Sequence, residues 1–270
     1  MSNFFQRAIS GAVYISIIIA SILFHSYAFV AVFTVICAWC VREFQQLTNS
    51  QPDVDVNTWI AAFGGAFLFI CSYLYASGIV SCKWIYAIYI VYVMAVFIWE
   101  LYRKHPNPIN NWAYFVLGQV YVAVPFSLLS FILFATGYTP ILLLSVFVII
   151  WVNDTGAYLC GVTFGKHRLF ERISPKKSWE GFIGGAVFSL VAGYVFSLFI
   201  PEISLLHWFI LAEIIVVFGT FGDLSESLLK RTLGVKDSGN TIPGHGGLLD
   251  RFDSMLFAAP AVFVYLMFLF

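Results

Sequence analysis

Charged side chains are scarce in this chain. Asp, Glu, Lys and Arg make up 10% of its 270 residues, and 61% are hydrophobic. Soluble domains carry about 25% charged and roughly 45–50% apolar residues. No soluble fold of this length could hide so much apolar surface. Net charge is also missing: 14 basic residues face 14 acidic ones, so the sum is uninformative and no nucleic-acid partner is expected. Neither a Walker A loop nor a dinucleotide fingerprint occurs, which argues against a soluble-type nucleotide fold. There is no long linker and no internal repeat. Cysteine is sparse too. The five, Cys37, Cys40, Cys71, Cys82 and Cys160, all lie within or beside apolar runs. Cys37 and Cys40 have a C-x-x-C spacing, but Ile36-Cys37-Ala38-Trp39-Cys40-Val41 reads as membrane helix. Small buried side chains are expected there rather than redox or metal chemistry.

What is present is a series of long apolar runs. A hydrocarbon core about 30 Å thick needs roughly 20 apolar residues at 1.5 Å rise each. The runs are Ala8–Phe24, Tyr27–Val41, Trp59–Val80, Trp84–Trp99, Trp112–Ala135, Thr139–Phe164, Gly181–Ile200, Leu205–Gly222 and Met255–Phe270. An all-α, polytopic membrane protein with about nine transmembrane helices is therefore predicted, as one integral membrane domain. Within it, residues 1–136 supply packing helices, and residues 137–270 hold the helices and loops rich in chemistry. The first run is expected to be retained rather than cleaved as a signal peptide, since no polar cleavage region follows it.

The basic residues orient the chain. With a cytoplasmic N-terminus, Arg7, Arg42, Arg103, Lys104, Lys166, Arg168, Arg172, Lys176, Lys177, Lys230, Arg231, Lys236 and Arg251 fall inside, and only Lys83 falls outside. That is the positive-inside pattern. Trp59, Trp84, Trp112 and Tyr138 lie near span ends, where interfacial aromatics belong.

Polar chemistry is concentrated in the second half. Asn153-Asp154-Thr155 lies inside the sixth run, where an ionisable group costs roughly 2.5–3.5 kcal/mol unless it faces protein or water. Either a polar contact between helices or a polar cavity accounts for it. In Ser174-Pro175-Lys176-Lys177-Ser178-Trp179-Glu180-Gly181, Pro175 stops any helix, Ser178 suits an N-cap, and Glu180 suits the helix's positive end. Lys176 and Lys177 stand just before that N-terminus, as a phosphate site or as a topology anchor. Asp223, Glu226, Ser227 and Lys230 share a helix face by their i, i+3, i+4, i+7 spacing. Arg231, Lys236 and Asp237 follow. Pro243-Gly244-His245-Gly246-Gly247 then makes a glycine-rich turn whose amides can approach a ligand. Asp250-Arg251-Phe252-Asp253 closes the stretch with two carboxylates. Carboxylates, cations and a glycine-rich turn at the membrane boundary suit a Mg²⁺-polyphosphate site, because Mg²⁺ takes one or two carboxylates plus phosphate oxygens. A salt-bridged cytoplasmic cap is the alternative.

Ser227-Leu228-Leu229-Lys230-Arg231, Lys236-Asp237-Ser238-Gly239 and Ile242-Pro243-Gly244-His245-Gly246-Gly247-Leu248-Leu249-Asp250-Arg251-Phe252-Asp253 together closely resemble the signature of CDP-diacylglycerol synthases (phosphatidate cytidylyltransferases). Ser174–Gly181 and Asp154-Thr155-Gly156-Ala157-Tyr158 with Gly165-Lys166 resemble that family's other motifs. Ser178 stands where Thr is more usual, and Val162-Thr163 where a basic or polar residue often stands. The resemblance implies transfer of a cytidylyl group from CTP to phosphatidic acid, giving CDP-diacylglycerol and pyrophosphate. It implies divalent metal ligation, Mg²⁺ by preference, by Asp223 and Asp250, and phosphate neutralisation by Lys230, Arg231, Lys236 and Arg251. Catalytic roles are also expected of Asp237 and Asp253, and His245 with the glycines would shape a nucleotide loop. Asp154, Ser174, Lys176, Lys177, Ser178, Glu180, Ser227, Gly244, Gly246 and Gly247 are the expected substrate contacts. The implied setting is the inner (plasma) membrane, with the site on its cytoplasmic side.

Rival classes fit less well. A membrane CDP-alcohol phosphotransferase needs an Asp-Gly-x-x-Ala-Arg signature that is absent. A transporter would place polar groups at the midplane between repeated halves. A binding or scaffold protein could retain the charged face without activity, though no expected charged residue is missing. Gly181 and Gly185 form a G-x-x-x-G pair that serves either a homodimer face or packing within one subunit.

Cysteine-accessibility labelling tests this topology. Positions beside Lys104, Lys177 and Lys236 should react only from the cytoplasmic side, and positions beside Lys83 only from the opposite side. Finding Lys177 and Lys236 across the membrane from each other would overturn the span count.

Overall fold

A computed structural model describes residues 3–239, 241–242 and 246–270, with side chains from Ile9 onward. Its backbone answers the constraint that lipid imposes. With no water in a bilayer core, each N–H and C=O must pair within its own segment, and helices achieve this. Among the described residues, seven helices are long and apolar enough to cross a membrane, and two shorter apolar ones, Ile9–Phe24 and Asp253–Leu269, account for the remaining runs. The chain is a polytopic all-α membrane protein. It divides into two compact units, Met1–Tyr138 with Leu233–Phe252, and Thr139–Thr232 with Asp253–Phe270. In this division Leu233–Phe252 groups with the N-terminal helices. Its end is anchored there by Phe252, which is buried and packs its ring on Phe126 with centroids 5.0 Å apart.

The first unit contains α1 (Asn3–Phe24), α2 (Ser26–Thr48), α3 (Thr58–Ala76), α4 (Ile85–Arg103), α5 (Pro108–Gly118) and α6 (Val124–Leu133). Polar residues between the apolar runs start the helices. His25 Nδ1 accepts the Tyr27 N–H and caps α2, and Asn57 Oδ1 accepts the Trp59 and Ile60 N–H groups and caps α3. Each cap satisfies donors that the first helical turn leaves free. One π-turn, Gln119–Ala123, joins α5 to α6 within a single apolar span. It lies just ahead of Pro125, which has no N–H to continue the regular ladder. The Gln119 side chain donates to Ala61 O at 2.9 Å and accepts the Tyr89 hydroxyl at 3.0 Å, so this polar residue is bonded inside the helix packing. Cys37 and Cys40 are fully buried as small core side chains, and among the described residues they form no disulfide.

The second unit contains α7 (Pro140–Phe164), β1 (Arg168–Phe170), β2 (Ser174–Ser178), α8 (Trp179–Ser197), α9 (Leu205–Thr232) and α10 (Asp253–Leu269). β1 and β2 pair antiparallel, with Arg168 opposite Ser178 and Phe170 opposite Ser174. Hydropathy gives no sign of this hairpin because it lies outside the apolar runs. Helix α9 runs on to Thr232, past the expected end at Gly222, because hydropathy registers only the lipid-contacting part of a helix. α7 and α8 pack through glycine. A Cβ on Gly181 would lie 2.8 Å from Ala157 O, and one on Gly185 would lie 2.3 Å from Asn153 Oδ1 and 2.9 Å from Asn153 O. The G-x-x-x-G pair is therefore occupied within the subunit.

This contact predicts the effect of Gly185→Leu. A side chain forced against the Asn153 backbone carbonyl should cost about 1–3 kcal/mol, the usual range for overpacking. The measurement is the thermal unfolding midpoint in detergent, which should fall by several degrees. Val187→Leu, on a side of the same helix that is 53% exposed, should leave it unchanged.

A charged cavity as the candidate active site

The second unit encloses a cavity of about 580 Å³, lined by α7, the β-hairpin, α8, α9 and the start of α10. Its polar lining includes Asp154, Arg168, Lys176, Lys177, Ser178 and Asp223, and its apolar lining includes Tyr158, Val162, Leu169 and Phe182. Local structure explains the placement. Ser178 ends β2 in extended conformation, and its hydroxyl accepts the Gly181 N–H at 3.1 Å as the N-cap of α8. The hairpin thereby carries Lys176 and Lys177 to the mouth of a helix N-terminus. Glu180 turns back to the loop instead of the cavity. It accepts the Lys166 and His167 N–H groups and pairs with His167 Nδ1 at 2.6 Å.

Lys177 Nζ meets Asp223 Oδ2 at 2.5 Å, joining the hairpin to α9. Ser227, one turn later, donates to Asp223 Oδ1 at 3.1 Å. Lys230 pairs with Glu226 at 3.2 Å, and that carboxylate is wholly buried. Asp253 opens α10 ahead of its apolar run. Desolvation, then the charge of Asp223 and, more weakly, that of Asp154, push its carboxyl well above the usual carboxylate range, while Lys230 pulls it down. Asp154, Asp223 and Asp253 thus form one electrostatic group. Of the Asn153-Asp154-Thr155 triplet, Asn153 and Asp154 both line the cavity, and Asn153 is also buried against Gly185 of α8.

The remaining expected site residues lie on other elements. Ser174 pairs opposite Phe170 in the hairpin, and Arg231 is exposed near the end of α9. Lys236, Asp237, Gly246, Gly247, Asp250 and Arg251 belong to the first unit. Lys236, Asp237 and Arg251 are exposed there. Asp250 holds its own loop: Oδ2 accepts the Ser238 N–H and the Gly247 N–H, each at 2.9 Å. Ile242 N–H donates to Gly246 O at 2.9 Å and closes the glycine-rich turn, where Gly246 has φ +88°. Gly244 and His245 lie outside the described residues.

Two residues of consequence were not legible beforehand. Arg168 read only as a topology charge, because nothing sequential showed that a hairpin would aim it at the cavity. Glu43, discussed below, sits at the end of an apolar run among ordinary boundary residues.

The sequence pattern of the cytidylyltransferase family matches residues 5–269. The chain belongs to the cytidylyltransferase family. A relative from Haemophilus influenzae, called phosphatidate cytidylyltransferase, is 32% identical over 278 aligned residues, covering 94% of this chain and 96% of the relative. Proteins of the same name from Staphylococcus haemolyticus and Staphylococcus saprophyticus are 50% and 49% identical over 120 and 119 residues. Those two alignments cover 44% of this chain, and the chain spans about half the length of each relative, 46%. For a cytidylyltransferase, the cavity offers cations able to grip phosphate next to carboxylates able to share a metal.

The Lys177–Asp223 pair yields a test. Both side chains are partly solvent-exposed, so their attraction should add little to stability. Lys177→Met should keep the melting midpoint within a degree or two of the parent. Inorganic pyrophosphate, measured by calorimetry, should bind at least about tenfold more weakly. Unchanged pyrophosphate binding would remove this lysine from the anion site.

Proposed function

We propose that this protein transfers the cytidylyl group of CTP to phosphatidic acid, giving CDP-diacylglycerol and pyrophosphate for phospholipid biosynthesis. It works in the inner (plasma) membrane, from the cytoplasmic side. The observation that carries this reading is the cavity where Arg168, Lys176 and Lys177 converge with Asp154 and Asp223 beside a capped helix N-terminus. The name of the full-length Haemophilus relative supports it. One substrate is a soluble polyanion and the other a lipid with a phosphate head, and an interfacial cationic cavity is where both can meet.

In the reaction, an ionised oxygen of the phosphatidate phosphate attacks the α-phosphorus of CTP. The bond from that phosphorus to the α,β-bridging oxygen breaks, and pyrophosphate leaves with the electron pair. Such chemistry depends on positioning and charge neutralisation more than on covalent help from the protein. Arg168, Lys176 and Lys177 supply neutralising charge, and Ser178 fixes the helix end. The nucleophile is already ionised at neutral pH, so a dedicated general base is not required.

The acidic group fits Mg²⁺. Among the described residues no three His, Cys, Asp or Glu side chains form a ready-made metal site. Mg²⁺ requires less, one or two carboxylates with phosphate oxygens completing its shell. Asp223 and Asp253, which repel each other without a cation, would hold it, with Asp154 nearby. Asp250, the other expected metal ligand, also accepts the Ser238 and Gly247 N–H groups of its own loop. When bound, the metal would neutralise triphosphate charge. Lys236 and the glycine-rich turn remain the elements assigned to the nucleotide.

Purified protein in detergent with CTP, phosphatidic acid and Mg²⁺ should form a CDP-lipid and pyrophosphate in equal amounts. Asp223→Asn and Asp253→Asn should each lower the rate at least about a hundredfold, roughly 2.7 kcal/mol. Replacing Lys176 and Lys177 together with Ala should raise the KM for a phosphate-bearing substrate. Absence of CDP-lipid from well-folded protein would overturn the assignment.

A further inference from the structure

Near its C-terminal end α2 carries a carboxylate, Glu43, that is only 1% exposed. A buried carboxylate is unfavourable unless its oxygens are bonded. Arg42 is its neighbour, but that guanidinium lies over the rings of Trp39 and Trp59, 4.9 and 4.5 Å from their centroids. The donors to Glu43 come from a segment some two hundred residues away in sequence. Oε2 accepts the Leu249 N–H at 2.8 Å and the Ser238 hydroxyl at 3.5 Å, and Oε1 accepts the Thr241 hydroxyl in a short hydrogen bond. Thr241 Oγ1 in turn accepts the Trp39 indole N–H at 2.7 Å, a second tie to α2.

The segment is shaped around this carboxylate. A Cβ on Gly239 would lie 2.9 Å from Glu43 Oε1, and one on Gly247 would lie 2.9 Å from Oε2 and 1.9 Å from Ser238 Oγ. Asp250 receives the Ser238 and Gly247 amides of the same segment. Two carboxylates therefore bind both ends of the turn, and Glu43 is the one supplied by a membrane helix. All these groups lie within the first unit.

We infer that Glu43 is a positioning residue for the cytidylyl transfer, holding residues 236–239, 241–242 and 246–250 in the conformation that presents Lys236, Gly246 and Gly247 to the nucleotide. The inference rests on the proposed function for what the turn binds, but not for the anchoring itself. Glu43 touches no substrate in this role, and its effect falls on CTP alone.

Two readouts separate these parts. In detergent, trypsin cleavage after Lys236 of the intact protein reports opening of the segment without any need for activity. Glu43→Ala should speed that cleavage at least about tenfold, because proteolysis follows local opening. The same variant should raise the KM for CTP at least about tenfold and leave the KM for phosphatidic acid within about twofold. Glu43→Gln keeps an oxygen for the Leu249 amide and offers its own amide to Thr241, so it should restore most of both losses. If Glu43→Ala does not fold, Thr241→Val decides, with the same directions and about threefold effects. Parent-like cleavage in a folded Glu43→Ala or Thr241→Val protein would overturn the anchoring. Equal KM changes for both substrates would overturn the nucleotide-specific role. An inactive parent protein would overturn the proposed function and leave the cleavage test standing.

Discussion

The cavity exists because α7 and α8 approach until backbone meets backbone. Gly181 stands against the Ala157 carbonyl and Gly185 against Asn153, so no side chain fits between the helices there. In lipid there is little hydrophobic drive for helices to associate, and close contact at small residues supplies dispersion in its place. That contact sets where α8 begins relative to α7. The start of α8 determines where Ser178 caps it, and the capped end determines where the hairpin delivers Lys176 and Lys177. Arg168 comes to the same space on the partner strand.

Charge is then arranged by pairing rather than by excess. The chain has no net charge, yet the cavity gathers cations from the hairpin and carboxylates from α7 and α9. Lys177 is paired with Asp223, and Lys230 with Glu226. Asp253 is desolvated and faces the Asp223 and Asp154 charges, with Lys230 as the weaker opposing influence.

Much of this organisation was legible in the residues. Apolar runs and the segregation of basic residues set the spans, because lipid tolerates only internally paired backbone. Ser178 as a helix cap followed from local chemistry, which depends on neighbours a few positions away. The spacing of Asp223, Glu226, Ser227 and Lys230 placed them on one helix face, and the structure joins Asp223 to Ser227 and Lys230 to Glu226 along it.

Contacts distant in sequence were not legible. Asp250 and Asp253 stand three residues apart and look equivalent, but one turns to the amides of its loop and the other to the acids of α7 and α9. Arg168 looked like a topology charge until a hairpin too short to leave a periodic pattern aimed it. Glu43 looked like the polar end of a span, and only folding supplies its three donors from the far end of the chain. Periodicity and capping are local, so the sequence by itself determined which segments are helices and which family they belong to. Which carboxylate meets a lysine and which meets an amide depends on where separate segments are brought together, and that only the tertiary structure decided.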